Sequence, residues 1–393
     1  MNTKIIPEDK NMNIQVSAVL LLCVSTLVHA DQLRLVGDFD TQVQYLLDYE
    51  FLKPEQLLNM TKVYDDVSRT LEQKWPGIKI YPSGSLVIGL AAKFSDVDFI
   101  VKVQNYNNSS ELYLATQALG LFYRQPELYT LVEQTASEGG VPLITLYHIL
   151  TKRFCDISFA SHTSSENSQL LGYYFKLDQR NLALSSLLKF WSKVHASMDI
   201  GIVRNYVLYL LIVFYLQQRD LVPPVSSLQV NLGSSSTDNW ATFTKIPYNS
   251  SNTESLYQLL GGFFKYYSEF NYKDNIIVPF VGKVIPRSVF KNDSSIPEEF
   301  AEYESYINRV KSKSIELESA MCILDVFEQS SNVADTTTPE QFGWFVHRVK
   351  FGAKVFQEVS SDCFLTAILT RDAYDNEILE NIDEIITRGD CTY

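Results

Sequence analysis

The 393-residue chain has only five cysteines, Cys23, Cys155, Cys322, Cys363 and Cys391, and only five histidines. No two of the cysteines form a CxxC pair and none stands in a Cys/His cluster, which argues against a zinc module. Their odd number and wide spacing fit free thiols in a reducing compartment. No apolar run reaches the roughly 18 residues that a membrane span needs, so no stable span is expected. Basic residues are outnumbered, 33 Lys and Arg against 46 Asp and Glu, for a formal net charge of −13. That balance argues against a chain that coats nucleic acid by bulk electrostatics, but it leaves room for a local basic channel. Internal repeats, long low-complexity tracts and an RRM signature are also missing. What is present is a globular composition, 46% hydrophobic and 13% aromatic with 23 Tyr and 23 Phe, long enough for two domains.

Residues 16–28, VSAVLLLCVSTLV, have the length of a signal-peptide core, and Val28 and Ala30 suit a small-residue cleavage site. Glu8 and Asp9 beside Lys4 and Lys10 leave the preceding segment barely positive, which opposes secretion. Residues 1–30 are therefore read as a hydrophobic segment of undetermined role. A cytoplasmic protein is expected, with the secretory pathway as the alternative if that segment acts as a signal peptide.

Further along, residues 36–75 read as helical, with Val43, Leu46 and Leu47 at helix spacing, then Leu57, Met60, Tyr64, Val67 and Leu71. A Ser/Gly loop and a short apolar segment lead into the strand DVDFIVKV. VPLITLYHI and RFCDISFA read as a β-hairpin. In LALSSLLKFWSKVHA, Leu184, Leu187, Leu188 and Trp191 form one apolar stripe, and NYVLYLLIVFYLQQR, apolar all round, reads as a buried central helix. The fold class expected is α+β: a small mixed sheet near residues 78–165 and a helical domain after it.

The chemistry centres on carboxylates. Residues i and i+2 of a strand share a face, so Asp96 and Asp98 project together while Val97 and Phe99 turn to the core. Asp156, in FCDISFA, shares a face with Ser158. If the two strands are neighbours, three carboxylates converge, and their repulsion calls for cations. Mg²⁺ or Mn²⁺ would suit these oxygen donors, and two such ions suit in-line attack of a hydroxyl on an α-phosphate. Gly84 permits positive φ and close backbone approach, and Ser85 offers a hydroxyl and an N–H to a phosphate. A lone DxD is more often a solvated strand end, and SGS alone is usually a turn. The spacing adds weight: Ser85 lies 11 residues before Asp96, with Gly89 between.

The stretch GSLVIGLAAKFSDVDF resembles the signature of the DNA polymerase β-like nucleotidyltransferases, in the branch of non-canonical poly(A) polymerases and terminal uridylyltransferases. Similarity continues through RFCDISFASHTSSENSQLLGYYFKLDQR, LLKFWSKVH, LYQLLGGFFKYYSEFNYKD and CILDVFEQSSNVA, in the family's order. The resemblance implies a nucleotidyltransferase palm at 60–175, with a helical central domain from 31–59 and 176–393. A poly(A)-polymerase-associated segment would lie at about 255–335. It implies Asp96, Asp98 and Asp156 as metal ligands, with Asp156 helping the RNA 3′-hydroxyl lose its proton. Gly84 and Ser85 would hold the triphosphate, and Lys189 and Lys193 would meet the β- and γ-phosphates. Asn167 would contact the nucleotide sugar, and Tyr206 would stack on the base. Asn205 stands where the family usually places a serine, and Ser331 stands where uridylyl-preferring members carry a histidine.

These residues imply an enzyme that adds UMP or AMP, from UTP or ATP, to RNA 3′ ends without a template. The RNA would be chosen by the catalytic groove or delivered by an RNA-binding adaptor. The alternative is a weak or inactive relative that serves as a binding or adaptor protein.

Overall fold

The computed structural model describes residues 35–93, 95–103, 111–135, 142–159, 163–196, 202–229, 242–290, 300, 317–329 and 331–370. Residues 1–30, Cys23 and Cys391 lie outside them. Helix α1 (Phe39–Glu50) opens on Asp38, whose carboxylate accepts the Thr41 N–H at 2.9 Å, and α2 (Pro54–Glu72) follows. The expected helical run is broken at residues 51–53, where the chain pairs with another segment. Phe51 bridges Ala92, Leu52 N–H reaches the Ala91 carbonyl at 3.0 Å, and Lys93 N–H reaches the Glu50 carbonyl at 2.9 Å. On α2 the buried stripe is Met60, Val63, Val67 and Leu71, whereas Leu57 and Tyr64 are exposed. That corrects the stripe read from spacing.

Five strands make one mixed sheet in the order β1-β2-β5-β4-β3. They are β1 (Lys79–Ser83), β2 (Val97–Lys102), β3 (Tyr129–Thr135), β4 (Leu143–His148) and β5 (Arg153–Ser158). Between β1 and β2 the expected loop is a short helix, α3 (Gly84–Ile88), and α4 (Glu111–Phe122) precedes β3. The β2–β5 pair is parallel and the other three pairs are antiparallel, including the β4–β5 hairpin. Inward residues Val97, Phe99, Cys155 and Ile157 pack with α2 and with Phe122 of α4 in one apolar core.

The larger core is helical. Helices α5 (Thr163–Lys176) and α6 (Gln179–Val194) lead to α7 (Asn205–Gln218), in which every residue from Val207 to Leu216 is buried. A helix hydrophobic on every side can be stable in water only when enclosed, and α7 is the centre of this domain. Helix α8 (Leu256–Ser268) starts at a capping box between Ser255 and Gln258. Its Gly261 lies so close to Phe356 that a Cβ there would meet the ring at 2.0 Å. The small hairpin β6 (Asn275–Val278) and β7 (Lys283–Pro286), the short α9 (Arg287–Phe290), α10 (Pro339–Glu358) and α11 (Ser361–Leu369) complete the described elements.

Cys155 and Cys322 are buried thiols outside any disulfide, but Cys363 is disulfide-bonded, which corrects the expectation of a thiol at that position. Among the described residues no helix is long and apolar enough to cross a membrane.

Candidate active site

Where the sheet meets α5, α6 and α7 there is a cleft of about 1060 Å³. The strand register builds its acidic wall. Asp98 and Asp156 are direct neighbours across the parallel β2–β5 pair, and Asp96 lies one residue before β2. Asp98 is pushed up to about 7 by burial and by the charges of Asp156 and Asp96. Asp96 is exposed to solvent, yet the desolvating residues around it and the charge of Asp156 push it up to about 6. Burial also raises Asp156, against a hydrogen bond from the Thr145 hydroxyl at 2.7 Å.

The turn beside these groups is specified by backbone geometry. Gly84 has φ +63°, and a Cβ there would fall 1.8 Å from Oδ2 of Asp98, so the carboxylate occupies the space a side chain would fill. Ser168 of α5 pins the turn: its hydroxyl accepts the Gly84 N–H at 3.1 Å and lies 3.0 Å from the Ser83 hydroxyl. The Ser85 N–H donates to Asp98. With that N–H engaged, the Ser85 hydroxyl is the group that can turn toward a phosphate.

The opposite wall carries two ammonium groups one helical turn apart. Lys189 donates to the Leu90 carbonyl at 2.6 Å, and Lys193 pairs with the buried Glu50 carboxylate at 2.5 Å. Burial and the neighbouring Lys193 lower Lys189 to about 8. Two like charges four residues apart repel. Here each has a partner at its back while both still line the cleft.

At the far end, Asp325 ties three segments together. Its Oδ2 accepts the Tyr206 hydroxyl at 2.7 Å and the Asn167 amide at 3.2 Å, and its Oδ1 accepts the N–H groups of Phe327 and Glu328. Asn167 Oδ1 is buried without a hydrogen-bond partner. Asn205 is exposed at the first position of α7 and lines the cleft. Asp325 was not singled out from sequence; its one signal is an acid inside the apolar run CILDVF.

Ten of the eleven residues named from sequence line this single cleft: Gly84, Ser85, Asp96, Asp98, Asp156, Asn167, Lys189, Lys193, Asn205 and Tyr206. Ser331 does not. Its carbonyl accepts the Asp325 N–H at 3.0 Å, so it reaches the cleft through Asp325.

Among the described residues no three His, Cys, Asp or Glu side chains close into a metal cage. Ser85 and Thr145 hold Asp98 and Asp156 individually. An open, all-oxygen set still fits Mg²⁺ or Mn²⁺, because Mg²⁺ is usually held by one or two carboxylates plus substrate phosphates.

Residues 39–176 match the model of the central palm domain of mitochondrial-like poly(A) RNA polymerase, and residues 255–331 match that of the Cid1 family poly A polymerase. The chain belongs to the poly(A) polymerase and terminal uridylyltransferase family. It is 28% identical over 241 residues to poly(A) RNA polymerase GLD2-A of Xenopus laevis, covering 57% of this chain and 46% of that protein. Against terminal uridylyltransferase 7 of Homo sapiens it is 25% identical over 228 residues, 53% of this chain and 15% of that one. The chain thus spans less than half the length of these relatives. Among solved structures, mtPAP in complex with UTP superposes with a TM-score of 0.69 at 20% identity, covering 94% of this chain and 77% of that one. The Cid1 poly(U) polymerase with Mg and 3′-dATP superposes at 0.62 and 21%, covering 82% and 95%. At these identities the superpositions establish the fold alone, an α+β architecture shared with both structures.

Proposed function

We propose that this chain is a template-independent nucleotidyltransferase that adds UMP or AMP to RNA 3′ ends. The observation that carries the reading is the Asp98–Asp156 register beside Asp96, three mutually repelling carboxylates facing Lys189 and Lys193 across one cleft. Asp96, Asp98 and Asp156 would hold Mg²⁺ or Mn²⁺, which when bound would neutralise phosphate charge and acidify the attacking hydroxyl.

The chain's own groups account for the rest. The Gly84 turn and the Ser85 hydroxyl receive the triphosphate, and Lys189 and Lys193 meet its β- and γ-phosphates. Asn205 lies along the same wall. The unpaired Oδ1 of Asn167 accepts from a ribose hydroxyl, and Tyr206, oriented by Asp325, stacks on the base. The RNA 3′ oxygen forms a bond to the α-phosphorus as the bond from that phosphorus to the bridging oxygen breaks. Pyrophosphate leaves with the electron pair, and Asp156, steadied by Thr145, takes the hydroxyl proton. Ser331 affects base choice through Asp325, and both UTP and ATP remain in the proposal. The RNA arrives through the groove itself or from an RNA-binding adaptor. A cytoplasmic location belongs to the same reading, and an intact Met1 on the isolated protein tests it against secretion.

The experiment is direct: purified protein and a labelled oligoribonucleotide with Mg²⁺ or Mn²⁺ and each of the four NTPs separately. Extension with UTP or ATP is expected. No extension with any NTP would overturn the reading.

A further inference from the structure

On α1, Tyr45 and Tyr49 lie one turn apart, 48% and 44% exposed, with ring centroids 6.3 Å apart and planes within 15° of parallel. Neither ring joins either apolar core. The Lys93 ammonium sits 4.2 Å from the centre of the Tyr49 ring, and Lys93 also lines the cleft. An exposed stack of two tyrosines under a cation gains little for the fold, since surface cation–π pairs contribute only about 0.5–1 kcal/mol.

The placement is firmly built. Lys93 N–H donates to the Glu50 carbonyl, and the Lys93 carbonyl accepts from the Arg153 guanidinium. Leu52 N–H donates to Ala91, two residues before Lys93. These bonds fasten the end of α1 to the segment that runs into Asp96 and Asp98, so the tyrosine pair keeps a fixed position relative to the carboxylates. The nearby acid, Asp48, is offset by Lys53 at 3.8 Å and by the Gln44 amide at 3.1 Å. Lys152 and Arg153 line the same cleft beside Lys93, a local cluster of cations in a chain with a net charge of −13.

We propose that the Tyr45–Tyr49 face with Lys93 is the docking track for the single-stranded RNA that leads to the 3′ end. This rests on the tailing reading above. Stacked aromatics beside a cationic groove are how sequence-tolerant proteins hold unpaired bases, because every base has a π-face and every nucleotide a phosphate. The bases upstream of the reacting nucleotide stack on the tyrosines. Lys93 exchanges the Tyr49 ring for a phosphate, and Lys152 and Arg153 continue the cationic path toward the carboxylates.

The test uses the full chain, a fluorescent single-stranded oligoribonucleotide and anisotropy at fixed salt, with NTP affinity measured separately. Tyr45→Ala/Tyr49→Ala is expected to bind RNA at least about thirtyfold more weakly with NTP affinity unchanged. Tyr45→Phe/Tyr49→Phe, which keeps the rings, is expected to bind as wild type. Lys93→Gln is expected to lower the slope of log affinity against log salt by about 0.7, one phosphate contact on a single strand. If wild type binds and extends RNA while the double alanine variant matches its RNA affinity, the track is overturned and the tailing reading stands. If wild type binds no RNA, both fall together.

Discussion

Asp66 and Asp98 lie in the same α/β unit, and both are withdrawn from water, yet their ionisation is pulled in opposite directions. Asp66, on α2, is 2% exposed and accepts from Lys62 at 3.0 Å, from Arg69, and from His148 at 3.1 Å. Burial works to raise its pKa, but the hydrogen bonds from Lys62 and His148 and the charges of Lys62 and Arg69 outweigh it, and the group is held below the ordinary range. Asp98 faces Asp96 and Asp156 instead and is pushed up to about 7. Burial is common to both. The partners differ, and they decide whether a buried carboxylate is a structural anchor or an incomplete ligand site.

Replacing each aspartate separates the two roles. Asp98→Ala should reduce RNA extension at least about a thousandfold, the scale of several kcal/mol of lost metal-assisted stabilisation. Thermal unfolding should show the variant folded, and near-normal turnover would remove Asp98 from the site. Asp66→Ala should leave Lys62, Arg69 and His148 without their shared acceptor and cost about 3 kcal/mol of stability. Denaturant unfolding measures that cost, and the fraction still folded should keep its turnover number.

A third contrast concerns the cationic wall. Lys193→Ala should raise KM for the NTP about tenfold, about 1.4 kcal/mol of lost charge-assisted phosphate binding. KM for RNA should hold, and a rise confined to RNA would mean that Lys193 faces the wrong substrate.

The smallest effect is thermal. Because the folded pKa of Asp98 lies above its ordinary value of 3.8, the folded protein holds the proton more tightly than the unfolded chain. The resulting penalty is absent below pH 4, grows as pH rises, and is complete once pH passes about 7. Asp98→Asn should therefore raise Tm of the metal-free protein by about 2 °C at pH 8, with the gain fading toward pH 4. His148 runs the other way. Burial lowers its pKa despite Asp66, so its contribution to stability is lost as pH falls through its ordinary 6.5. A gain for Asp98→Asn that did not depend on pH would mean that the Asp98 charge is not what destabilises the metal-free fold.

Legibility in the sequence followed how local the determining interaction is. The period of two predicts Asp96 and Asp98 on one face, although β2 begins only at Val97, and the four-residue spacing on α6 sets Lys189 and Lys193 one turn apart. The strand β3 carries no clean alternation, because a register shift between Thr130 and Glu133 interrupts it. β6 and β7, four residues each, are too short for a periodic signal. Asp325 escaped because its partners, Asn167 and Tyr206, are 158 and 119 residues away. The disulfide at Cys363 is of the same kind, since spacing alone does not show which cysteines meet.

Local chemistry supplies the inventory: two aspartates one residue apart, two lysines one helical turn apart, and an order of segments that resembles one family. Those features come from backbone periodicity and residue chemistry within a few positions. Long-range packing sets Asp156 beside Asp98, brings Leu90 and Glu50 to the two lysines, and leaves Ser331 outside the cleft lining. It alone brought Lys93 over Tyr49. Each of these depends on strand order and helix packing, where elements far apart in the chain meet because together they bury one apolar core.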